Sequence, residues 1–99
     1  MFEILYADDV AGALYRLRAR DRALIVDRIK EQLRYEPTKP TRVKKLISGL
    51  KAPWLVGRPI WQLRVGQHCI FYDVDENRQH VTVRAIRRKP PHKTTEQII

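Results

Sequence analysis

Residues 60–87 read IWQLRVGQHCIFYDVDENRQHVTVRAIR, and in the first six of them Trp61, Leu63 and Val65 alternate with Ile60, Gln62 and Arg64. That period of two predicts a strand with one buried face. Gly66-Gln67 then supplies a tight turn, and His68 to Val74 predicts a second strand. After the polar stretch Asp75 to Arg78, His80 to Arg87 predicts a third, with Val81, Val83 and Ala85 alternating with Thr82 and Arg84. The three form an antiparallel meander.

Working outward, Pro90-Pro91 ends the sheet on the C-terminal side, and Thr94 to Ile99 suits one helical turn. On the N-terminal side, Val43 to Leu50 reads as a connection with a turn at Ser48-Gly49, and Glu36 to Thr41, with two prolines, as a linker. Upstream the period changes. Ile25, Ile29 and Leu33 form a helical stripe begun by a cap at Asp21, and Val10, Leu14 and Leu17 form another behind Asp8 and Asp9. Phe2 to Tyr6 is a short strand. The order strand, helix, helix, three strands predicts an α+β fold, its N-terminal strand and helical hairpin packed on an antiparallel sheet. A chain of 99 residues makes this a single domain, residues 1–99.

The other face of that sheet is expected to stay open. Alternation puts Gln62, Arg64, Thr82 and Arg84 on it, with Lys44, Lys45, Arg87, Arg88, Lys89 and His92 near its rim. Charge agrees with this division. Residues 1–36 hold seven basic and seven acidic side chains, whereas residues 37–99 hold 13 basic and four acidic, so the whole net charge of +9 lies in the second part. Such a field attracts phosphates or an acidic protein segment. Trp54, Trp61 and Tyr72 are aromatics for base stacking, but Trp61 falls on the buried face of its strand, where it packs in the core, and Trp54, beside Pro53 in a loop, is the better placed.

Several function classes are disfavoured. No apolar run exceeds four residues, far short of the ~20 a membrane-spanning helix requires, and no secretory signal is visible. Cys69, the single cysteine, has no intrachain partner, which fits a reducing cytoplasm. His68, His80 and His92 lack metal-ligand spacing, so no metal or other cofactor is expected. Glycine-rich phosphate loops, nucleophile elbows and paired catalytic carboxylates are absent too. What remains is imidazole chemistry among cations, the combination that cleaves RNA through its 2′-hydroxyl. His68 and His92 are the imidazoles for that role.

Gln62-Leu-Arg-Val-Gly66, Cys69-Ile-Phe-Tyr-Asp-Val-Asp75 and Val81-Thr-Val-Arg-Ala-Ile86, preceded by Lys44-Lys45-Leu46 and Gly49, resemble the RelE/ParE superfamily of bacterial type II toxins. The resemblance covers nearly the whole chain. It implies a toxin neutralised by a cognate antitoxin and acting as a ribosome-dependent messenger RNA endonuclease in the decoding site; ParE-like members poison DNA gyrase instead. His68 stands where the RelE pattern has a catalytic arginine, two residues past the glycine, and YafQ-like members carry a histidine there. His92 matches the histidine that YoeB and YafQ place beyond the last strand. The catalytic set is thus His92 and His68 from the resemblance with Arg64 from the basic face, and Lys44, Lys45, Arg84, Arg87, Arg88 and Lys89 are expected on RNA phosphates. An acidic, partly disordered antitoxin segment would cover the basic face. A gyrase inhibitor and a noncatalytic antitoxin-binding domain are the alternatives.

Overall fold

The computed structural model describes residues 1–49, 52 and 57–89. Its elements run β1 (Glu3–Tyr6), α1 (Asp8–Arg16), α2 (Ala19–Leu33), β2 (Lys44–Ile47), β3 (Ile60–Val65), β4 (His68–Asp75) and β5 (His80–Arg88). The strands make one sheet in the order β1-β5-β4-β3-β2. The expected meander is β3-β4-β5, antiparallel throughout. β1 lies parallel to β5, so the sheet is mixed. The helical pair carries the chain away from β1, which leaves its place beside β5 to be reached in the same direction.

β2, expected only as a connection, is an edge strand antiparallel to β3, with Lys45 opposite Gln62. Two lysines at its start hide any alternation. The helix starts differ as well. Ala7 and Arg18 occupy the N-cap positions without side-chain caps, while Asp8, Asp9 and Asp21 sit inside the first turns, where a carboxylate faces the positive end of the helix dipole.

The stripes do what their spacing requires. Val10 and Leu14 of α1 and Ile25, Ile29 and Leu33 of α2 pack against Leu63, Val65, Ile70, Tyr72, Val81, Val83 and Ile86 of the sheet. Each such side chain removed from water contributes roughly 1.5–3 kcal/mol. Trp61 and Tyr72 belong to this core, Tyr72 with no exposed surface, so neither is a stacking platform. Trp54, Pro90-Pro91 and Thr94 to Ile99 lie outside the described residues.

The opposite face is not open at its centre. Ile60, Gln62, Cys69, Phe71, Asp73 and Ala85 are all buried there, Phe71 and Cys69 completely. Alternation assigns residues to a face but does not say whether the face is covered, and this one carries an apolar row of its own. Among the described residues no helix is long and apolar enough to cross a membrane.

Candidate nucleic-acid interface

The cations of the sheet sort by the parity of their strands. In antiparallel pairing, directly opposed residues share a face. Arg64 is opposite Cys69, and Cys69 is opposite Arg87, so Arg64 and Arg87 flank one buried thiol on the face away from the helices. Lys45 lies one strand further out on that face, opposite Gln62. Lys89 follows β5 directly, its amide donating to the Gln67 carbonyl at 2.6 Å.

Arg42, Lys45, Gln62, Arg64 and Lys89 line a cleft of about 110 Å³ with Thr41, Val43 and Lys44. Among the described residues no carboxylate pairs with Arg42, Lys45, Arg64 or Lys89. The convergence of these charges is registered by Cys69. Burial pushes its thiol above the ordinary value, while Lys89, Arg64 and Lys45 each pull it down. Like charges gathered in one place repel one another and attract an anion. Guanidinium and ammonium groups here can hold phosphate oxygens and a charge that develops on them.

Three expected phosphate ligands are engaged elsewhere. Lys44 is buried, and its ammonium donates to the carbonyls of Gln32 at 2.9 Å and Glu36 at 2.7 Å, closing the C-terminal end of α2. Burial lowers its pKa, opposed by nearby Glu36 and assisted by Lys39. Arg84 donates to the buried Asp73, whose carboxylate is also met by Arg58 at 3.6 Å. That buried charge demands a partner, and a bulge between Phe71 and Tyr72 shifts the register of β5 where Arg84 answers it. Arg88 donates to the Gln67 side-chain carbonyl at 3.0 and 3.3 Å.

His68 is separated from Arg64 too. It pairs with Val65 and Arg88, on the helix side of the sheet, and lines a groove of about 600 Å³ with Arg16, Arg18, Leu24 and Arg88. The expected His68–Arg64 pairing in one site is therefore corrected: the two-residue turn puts them on opposite faces. His92 lies outside the described residues. Of the expected set, Lys45, Arg64, Arg87 and Lys89 share a face. Arg42 was missed, although its place in the basic run Arg42-Val-Lys-Lys45 was a signal.

No family model and no curated protein sequence matches this chain. Solved structures do. The RelE–RelB complex of the archaeon Pyrococcus horikoshii OT3 contains a chain 17% identical to this one, with a TM-score of 0.70, covering 94% of this chain and 98% of its own. The toxin–antitoxin complex RelBE2 of Mycobacterium tuberculosis contains one 20% identical, with a TM-score of 0.65, covering 89% and 98% respectively. At such identities likeness speaks for architecture, and at that level the resemblance read from the sequence holds: this chain has the RelE-like toxin fold.

Proposed function

We propose that the chain is the toxin of a type II toxin–antitoxin system and cleaves messenger RNA on the ribosome without a metal. The observation that carries this reading is the cluster Arg42, Lys45, Arg64 and Lys89, paired with no carboxylate among the described residues and gathered around one cleft of a RelE-like fold. The 2′-oxygen of a nucleotide attacks the adjacent phosphorus as a base removes its proton. The bond from phosphorus to the 5′-oxygen breaks, and that oxygen takes a proton from an acid. The products are a 2′,3′-cyclic phosphate and a 5′-hydroxyl.

Arg64 stabilises the pentavalent phosphorane, and Lys45, Arg87 and Lys89 hold flanking phosphates. His92 is the base in this proposal. His68 has no part in it, being on the other side of the sheet. The partner is an antitoxin whose acidic segment covers the cleft and excludes RNA.

Purified protein added to translating ribosomes tests the reading. Discrete cuts in messenger RNA support it, with His92→Ala slower by roughly 10². Gyrase-dependent DNA breaks would replace it with gyrase inhibition, and neither effect would leave a noncatalytic binding domain.

A further inference from the structure

Gln67, a turn residue exposed to solvent, is bound to the end of β5 at three points. Its main-chain carbonyl accepts the Lys89 amide at 2.6 Å, and its side-chain carbonyl accepts Arg88 Nη2 at 3.0 Å and Nε at 3.3 Å. The β4–β5 ladder ends where His68 meets Arg88, so the Lys89 bond extends pairing one residue beyond the strand. Arg88 points to the helix-side groove and Lys89 to the cationic cleft. The main chain of Gln67 thus holds the Lys89 amide, and its side chain holds Arg88, the residue next to it.

We propose that Gln67 is a positioning residue, which fixes the exit of the chain from β5 and so holds Lys89 in the cleft beside Arg64. Its catalytic consequence rests on the RNA-cleaving reading above. A cation displaced by an ångström or so loses much of its hold on the flanking phosphate it contacts. A single exposed hydrogen-bonded side chain adds little to global stability, so its loss shows locally, as fraying of the last residue.

The experiment compares wild type, Gln67→Ala and Gln67→Glu, the last of which keeps an acceptor oxygen for Arg88. Gln67→Ala keeps the main-chain acceptor of the Lys89 amide but loses the Arg88 tether beside it, so that amide should exchange its hydrogen about tenfold faster, with Ile86 and the melting temperature nearly unchanged. Gln67→Glu should restore protection. Ribosome-dependent cleavage by Gln67→Ala should lose about tenfold in kcat/KM, through a higher KM with kcat little changed, because Lys89 holds a flanking phosphate. Unchanged Lys89 exchange in Gln67→Ala overturns the clamp. Faster exchange with wild-type cleavage overturns its positioning role. A wild type that cuts no messenger RNA sinks the parent reading and the catalytic consequence, while the exchange measurement still decides the clamp.

Discussion

Tyr72 joins two distant parts of the chain through one oxygen. Its hydroxyl, buried in the core, donates to the carbonyl of buried Pro37 at 2.6 Å and so pins the loop after α2 to the central strand. Tyr72→Phe leaves that carbonyl unpaired and should cost about 1–2 kcal/mol in urea unfolding at pH 7. Burial also raises the pKa of Tyr72 well above its ordinary 10.0. Above pH 10 the unfolded chain therefore loses a proton that the folded one keeps, and stability falls as pH rises. Tyr6 and Cys69, both raised by burial, act with the same sign and persist in the variant, whereas Lys44, lowered, acts against them. The stabilities of wild type and Tyr72→Phe should consequently converge between pH 7 and about 11.

Adjacent lysines on β2 show how far a residue's type falls short of its role. Lys44→Met should lower stability by about 1–3 kcal/mol, because two carbonyls at the end of α2 lose their charged donor. Lys45→Met should leave stability nearly unchanged and weaken RNA binding. Denaturation and RNA titration of the two variants separate these effects. Nothing in the order Lys44-Lys45 announces which one turns inward, since the partners of Lys44 are main-chain oxygens of residues 32 and 36.

Among the elements, those with an internal period were legible. The apolar faces of α1, α2 and β3–β5 match their spacing because each buries one side against a common core. β2 was not legible, being defined by its pairing with β3 rather than by a pattern of its own. The site divided for a related reason. Parity within β3 and β4 places His68 across the sheet from Arg64, but the contacts of Arg84 depend on a bulge that no periodicity reveals. The β3–β4 turn is more transparent: Gly66 has φ +58°, as the first residue of a two-residue hairpin turn favours. An added Cβ would meet nothing within 4 Å, so Gly66→Ala should cost only the conformational penalty, about 1–2 kcal/mol by thermal or chemical unfolding.

At the scale of the whole molecule, the charge asymmetry makes salt the sensitive variable. Four cleft cations, Arg42, Lys45, Arg64 and Lys89, neutralising four phosphates of single-stranded RNA should give a slope of log K against log salt of about −3. Lys45→Met should make that slope shallower by about 0.7 in RNA titrations at several salt concentrations. An unchanged slope would remove Lys45 from the interface.

The parallel pairing of β1 with β5 also sets a timetable. Glu3 to Tyr6 find their strand partner only at His80 to Val83, so one edge of the sheet stays unfinished until nearly the whole described chain has been synthesised. Long-range pairing of this kind folds slowly, since the entropy of closing the loop is lost before the contacts form. A growing chain therefore carries Val10, Leu14 and the α2 stripe without their sheet, as unfinished apolar surface exposed to whatever protein is nearby. Completing β5 gathers that surface and, at the strand's other end, delivers Lys89 to Arg64, so the finished core and the assembled charge cluster arrive together.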